Sequence, residues 1–179
     1  SRSISPTLPS LVRSKMSRRA SRVIADVTSA GPVGALAYIA LGANLGEPGA
    51  TLRRAVEVLG ELGQVQRRSA IYRTQPVGGP PDQPAYLNAV VALEAGTDVA
   101  TPRALMASLL EVERRFGRTR RLRHEARTLD LDLLDFAGMV RDDAVVTLPH
   151  PRMLARAFVL VPLLDVAPAW VDPRSGRSA

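Results

Sequence analysis

Arg127-Thr128-Leu129-Asp130-Leu131-Asp132-Leu133-Leu134 alternates acid and leucine at its centre. Read as a strand, it turns Asp130 and Asp132 to one face and Leu129, Leu131 and Leu133 to the other, into a core. Two ionised carboxylates on one face repel each other unless a cation sits between them. Hard divalent cations with oxygen ligands, magnesium above all, do this in phosphoryl-transfer sites. An amphipathic edge strand with a solvated acidic face shows the same alternation, and on the pattern alone it is the plainer reading.

The neighbouring residues shift that balance. Between Arg114 and Arg127 stand seven arginines against one acid, Glu125. Arg118, Arg120 and Arg127 flank the acidic pair. A cationic loop beside two carboxylates is what a nucleoside triphosphate with magnesium requires, because metal bridges phosphate oxygens while guanidiniums offset moving charge. A solvated basic loop is the alternative. A P-loop is excluded: no GxxxxGK[ST] occurs, and the only lysine is Lys15. Polyphosphate chemistry here rests on arginine and metal.

Upstream, residues 35–41 read as a short buried strand, closed by the turn-like Gly42-Ala43-Asn44-Leu45-Gly46. Residues 51–62 carry apolar side chains at 52, 55, 56, 59 and 62, a helical spacing. Residues 64–75 are strand-like around Ile71 and Tyr72. Residues 76–84 form a loop punctuated by four prolines and two adjacent glycines. Residues 86–94 read as a Val-rich strand. Thr101-Pro102 starts a helix, with Thr as N-cap and Pro at the first helical position. Leu105, Leu109, Val112 and Phe116 form its stripe, and Gly117 ends it. The Asp-bearing strand follows, then a strand around Val145-Val146 and an apolar segment, 158–166. The expected fold is α+β, a ferredoxin-like βαββαβ sandwich with two helices on one face of an antiparallel sheet and additional C-terminal elements.

The chain has 179 residues, enough for one domain with a real core. There are no cysteines, so disulfides and thiolate chemistry are excluded. No apolar run reaches the length of a membrane span. The net charge of +7 is unevenly placed: residues 1–34 hold six basic side chains and one acid, and residues 35–179 hold 18 basic and 16 acidic, or +2. Residues 1–34, rich in Ser, Arg and Pro, are expected to be a disordered basic extension. Their composition is equally that of an organellar transit peptide. A fusion remnant or a start at Met16 is a further alternative. Residues 35–179 are expected to be the functional domain.

Only seven aromatics occur. Tyr86 opens a strand and shares a face with Asn88; an aromatic and a carboxamide suit a flat heterocycle, one stacking and one reading its edge. Ordinary strand packing is the plainer reading of Tyr86 taken alone, and Phe158 carries the same ambiguity. His150 lies between two prolines in Leu148-Pro149-His150-Pro151-Arg152-Met153. With His124 it makes no zinc-ligand spacing.

Assembled in order, these segments resemble the 6-hydroxymethyl-7,8-dihydropterin pyrophosphokinases of folate biosynthesis. The resemblance runs from about Ala37 to Pro168. It is carried by Ala37-Tyr38-Ile39-Ala40-Leu41-Gly42-Ala43-Asn44-Leu45-Gly46, Tyr72-Arg73-Thr74, Asp82-Gln83-Pro84-Ala85-Tyr86-Leu87-Asn88-Ala89, Arg127-Thr128-Leu129-Asp130-Leu131-Asp132, and Pro149-His150-Pro151-Arg152-Met153 with Arg156 and Phe158. The chain departs from the family's pattern where His124-Glu125-Ala126 precedes Arg127, since many members have Trp-Gly-Pro or Ala-Pro there, and where Gln75 stands in place of a common proline.

The resemblance implies transfer of pyrophosphate from ATP, the co-substrate, to the hydroxymethyl oxygen of the dihydropterin, releasing AMP. Asp130 and Asp132 are then the metal ligands, holding two Mg2+ ions, and with Arg118, Arg120 and Arg127 form the catalytic set. Thr74, Gln75 and Val77, through the backbone of the 74–77 loop, would bind the pterin together with Tyr86, Asn88 and Phe158. Glu113, Arg118, Arg120, Arg127, Leu133, His150 and Arg156 would line the ATP side. The 76–84 and 117–126 loops would act as lids. A cytoplasmic monomer acting on small molecules, with no nucleic-acid or membrane partner, is implied. The rival from another class is an RNA-recognition module, which shares the element order but needs aromatics in a K/R-G-F/Y-type segment on its central strands; only Tyr38 and Tyr86 stand there. A weakened paralogue that only binds pterin or nucleotide is the third reading.

Overall fold

Leu36–Ala43 forms the central strand, β1, and its burial alternates along its whole length. Ala37, Ile39, Leu41 and Ala43 are buried on one face, while Leu36, Tyr38, Ala40 and Gly42 occupy the other. The computed structural model describes residues 34–77, 83–117 and 126–179. Along them run α1 (Pro48–Leu59), β2 (Gly63–Arg68), β3 (Tyr72–Thr74), β4 (Tyr86–Ala95), α2 (Pro102–Arg115), β5 (Asp130–Phe136), β6 (Arg141–Asp142), β7 (Thr147–Leu148) and α3 (Ala157–Val166). The main sheet has the order β2-β4-β1-β5, with β3 also beside β4, and every pair is antiparallel. This is the expected ferredoxin-like arrangement.

Two apolar layers hold the sheet. On one face α1 and α2 pack Leu52, Leu59, Leu105 and Leu109 against Ile39, Leu41, Leu93, Leu131 and Leu133. Burying each such side chain stabilises the fold by roughly 1.5–3 kcal/mol. On the other face Val159, Leu163 and Trp170 cover Val90, Ala92 and Leu134. Trp170 follows α3, so the additional C-terminal elements close the second side of the sheet.

Several expected boundaries move, each for a local reason. The first helix begins at Pro48 rather than residue 51, because proline is pre-organised for the first helical turn. It ends at Leu59 rather than residue 62. The stretch 64–75 is two strands rather than one. At the break, the Ser69 N–H donates to the Val90 carbonyl while its Oγ accepts from the Val90 N–H, both at 2.9 Å. The hydroxyl thus stands in for a backbone acceptor in the ladder. Asp165 of α3 then accepts from the Ala70 N–H at 3.1 Å and the Tyr72 hydroxyl at 2.8 Å. The strand expected around Val145-Val146 is instead the turn between β6 and β7. There Asp143 Oδ1 accepts from the Val145 and Val146 amides at 2.8 and 2.9 Å. The second helix is as expected: the Thr101 hydroxyl accepts from the Ala104 N–H at 3.1 Å, and Gly117 takes φ +76° after the last turn.

β5 carries a bulge. Tyr38 pairs with Asp135 and Ile39 with Leu133, so Leu134 is the extra residue. Leu134 and Asp135 consequently both contribute to the α3 side of the sheet, where the Trp170 indole donates to Asp135 at 2.9 Å.

Candidate active site

The register places the site. Asn88 on β4, Gly42 on β1 and Asp130 on β5 stand side by side across the sheet, and Tyr72 of β3 extends the row beyond Asn88. The next row holds Val90, Ala40 and Asp132. Asn88 and Asp130 are therefore two strands, or about 10 Å, apart. The expected same-face placement of Asp130 and Asp132 holds: both are half-buried, while Leu129, Leu131 and Leu133 are buried beneath the sheet.

Each carboxylate is met by a guanidinium. Arg127 Nη1 donates to Asp130 Oδ2. Arg156 Nη1 lies 3.7 Å from Asp132 Oδ2, and His150 Nε2 lies 3.9 Å from the same oxygen. His150 Nδ1 accepts from the Arg152 N–H at 3.2 Å, an arrangement that leaves the proton of the neutral ring on Nε2, toward Asp132. Burial pushes the His150 pKa below its ordinary value; Arg156 and Arg152 push the same way, and Asp132 opposes them. The histidine backbone is fixed by donation to the Leu134 carbonyl at 2.8 Å. Arg156 also lies over the Phe158 ring, 5.5 Å from its centroid.

On the other side of the floor, Asn88 Nδ2 donates to Thr74 Oγ1 at 2.8 Å. Oδ1 is the atom turned toward Gly42. Tyr86 pairs with Thr74. Burial raises the Tyr86 phenol pKa, with Arg127 lowering it and Asp130 raising it.

Asn44, quoted above only within a turn, joins the two halves. Its Oδ1 accepts from the Arg127 N–H at 2.7 Å and its Nδ2 donates to the Pro84 carbonyl at 3.1 Å. The Asn44 and Leu45 amides both donate to the Arg127 carbonyl, at 3.0 and 3.2 Å. One buried carboxamide thus fixes the segments that lead into Tyr86 and into Asp130. Its sequence signal was an asparagine in a glycine-flanked turn, a common place for local side-chain bonding.

Other expected positions fall as follows. Glu113 is buried at the end of α2, where its Oε1 accepts from the Leu131 N–H at 2.7 Å. It braces the strand between the two aspartates. The Leu133 side chain is 1% exposed in the helix-side core, on the opposite face of the strand from Asp130 and Asp132. Thr74 is half-buried, and Gln75 and Val77 are exposed just beyond β3. Arg118, Arg120, and most of the 76–84 and 117–126 loops lie outside the described residues.

Two carboxylates on one face are an open oxygen-donor set, of the kind magnesium completes with phosphate oxygens and water. Among the described residues no group of three or more acidic or histidine side chains forms a closed metal cage. A separate cavity of about 780 Å3 lies farther down the same sheet face, between Tyr38, Arg67, Glu94 and Trp170. It contains none of these residues.

Residues 38–168 match the family described as 7,8-dihydro-6-hydroxymethylpterin-pyrophosphokinase. A 2-amino-4-hydroxy-6-hydroxymethyldihydropteridine pyrophosphokinase of Synechocystis sp. is 41% identical over 144 residues, covering 79% of this chain and 71% of that one. The Haemophilus influenzae protein of the same name is 39% identical, covering 78% of this chain and 86% of its own length. The fold is shared with Plasmodium falciparum HPPK-DHPS structures; one aligns with a TM-score of 0.55 at 14% identity, over 76% of this chain and 41% of that chain. This chain therefore spans about two fifths of those longer chains.

Proposed function

Since the chain belongs to the 7,8-dihydro-6-hydroxymethylpterin-pyrophosphokinase family, we infer that it transfers pyrophosphate from ATP to 6-hydroxymethyl-7,8-dihydropterin in folate biosynthesis. The observation that carries the reading is the row Asn88–Gly42–Asp130. It sets a heterocycle reader and a metal-type carboxylate two strands apart over a bare floor. The pterin hydroxymethyl oxygen attacks the β-phosphorus, the bond from that phosphorus to the α–β bridging oxygen breaks, and AMP leaves. The activity resides in residues 35–179, acting as a cytoplasmic monomer.

Residues take their roles from chemistry and position. Tyr86 and Phe158 would sandwich the ring. Asn88 Oδ1, oriented by Thr74, would accept from its edge, aided by the backbone at Gln75 and Val77. Asp130 and Asp132 would hold two magnesium ions, which supply Lewis-acid neutralisation of phosphate charge. Arg127 and Arg156 already rest against these carboxylates, so they are placed to turn to phosphate oxygens when nucleotide enters. Arg118 and Arg120 would add charge from the loop. Neutral His150 would donate from Nε2 to the nucleotide. Glu113 would act through Leu131, by holding β5 in place. The RNA-recognition alternative loses ground, because α3 covers the sheet face such a module would present.

The metal roles are tested by Asp130→Asn and Asp132→Asn. Each should lower kcat on the order of 10²–10³-fold, the scale for removing one preorganised electrostatic contact. Pterin binding, read by fluorescence, should persist. Parental turnover in either variant would contradict the assignment.

A further inference from the structure

Gly42 sits on the central strand between Asn88 and Asp130. Its φ lies outside the left-handed region, so its backbone is one that any L-residue adopts. Conformation therefore does not call for glycine at this position; space does. An added Cβ would lie 3.3 Å from Asn88 Oδ1 and 3.9 Å from Asp130 Cβ. The first contact is tight, and Asn88 yields only by disturbing its 2.8 Å bond to Thr74. Side chains on this face of β1 also shrink toward the site, from Tyr38 through Ala40 to Gly42. Glycine inside a strand costs stability, and where no bend or left-handed φ calls for it, it marks close approach by another group. The group that fits above it is flat, reaches Asn88 Oδ1 at one end, and extends toward two carboxylates at the other.

We propose that Gly42 is a specificity-determining residue for the acceptor substrate. Its bare Cα meets the edge of the heterocycle that Tyr86 and Phe158 would sandwich, and it admits that edge at a depth that a methyl group would not allow. The proposal rests on the acceptor being a pterin, as inferred above.

The test is Gly42→Ala in the full chain with ATP and magnesium. The KM for hydroxymethyl-dihydropterin should rise at least about tenfold, the scale of one misplaced methyl in a substrate pocket. Affinity for a non-hydrolysable ATP analogue with magnesium should not change. The melting temperature should change little, because the tight contact with Asn88 opposes the gain from restricting the unfolded chain. A folded variant with the parental acceptor KM would overturn the proposal, as would equal losses for acceptor and nucleotide. In a second measurement, the parent should bind oxidised 6-hydroxymethylpterin at least about tenfold more tightly than Gly42→Ala does, and equal affinities would overturn the proposal. Failure of the underlying activity looks different, since the parent would then bind neither pterin.

Discussion

Asn88 has a side chain whose two ends are similar in shape and opposite in hydrogen-bonding character, and its bond to Thr74 holds one end away from the cleft. The threonine hydroxyl accepts from Nδ2 at 2.8 Å, leaving the carbonyl oxygen toward Gly42. Thr74→Val keeps the β-branched shape but removes the acceptor. The carboxamide then loses its orientation, and a net hydrogen bond is worth about 0.5–1.5 kcal/mol. The pterin KM should therefore rise by roughly two- to tenfold, with the ATP KM unchanged. Steady-state kinetics with each substrate varied in turn would check this; an equal rise in both constants would point to general loosening instead. At this scale the sequence was informative about residue types that carry chemistry, such as Asp130, Asp132 and Asn88. It was uninformative about residues that act through another. Asn44 and Glu113 make their bonds to backbone atoms distant in sequence, 83 residues away for Asn44 to Arg127 and 18 for Glu113 to Leu131. Their own neighbours in the chain give no sign of either contact.

β5 shows where an element can be read and where it cannot. Alternation from Leu129 to Leu133 was legible, because each side of the strand meets a different environment. The bulge at Leu134 was not, since two successive residues turned to one side depend on the register with β1. Its consequence is a carboxylate in the second core: Asp135 is 2% exposed, with Oδ1 accepting from the Gly138 N–H and Oδ2 from the Trp170 indole. Burial raises the Asp135 pKa above its ordinary value, and the Trp170 and Gly138 bonds oppose the rise. The folded state thus binds this proton more tightly than the unfolded state. The associated stability is fully present below the unfolded value, about 3.9, and is lost as pH rises through the folded pKa. Asp135→Asn removes that titration. Denaturant unfolding should show the stability of the parent, relative to the variant, declining from about pH 4 upward and then levelling off. A difference that is flat with pH would contradict the account. The variant should also be less stable near neutral pH by about 1–3 kcal/mol, because its amide nitrogen faces one of two N–H donors.

Across the whole molecule, two cores on opposite faces of one sheet divide the labour. The helix-side core, from Ile39 to Phe136, makes a stiff platform; the α3 side is covered only as far as Val90 and Leu134, and beyond that the chemistry begins. The element order, and hence the sheet, followed from hydrophobic period and turn residues. The covering of the second face did not, because the segment 158–166 is apolar at every position but Asp165 and gives no clear stripe to orient it. Overall charge was the least helpful guide: a net +7 suggests nucleic acid, yet residues 35–179 carry only +2. Among the described residues, Arg127 and Arg156 are each set against a carboxylate of the acidic pair rather than spread over a surface. The nucleotide product formed with ATP, magnesium and 6-hydroxymethyl-7,8-dihydropterin tests the central claim most directly. The account predicts AMP in one-to-one ratio with a pterin carrying two phosphates. ADP as the product, or no pterin-dependent turnover, would contradict it.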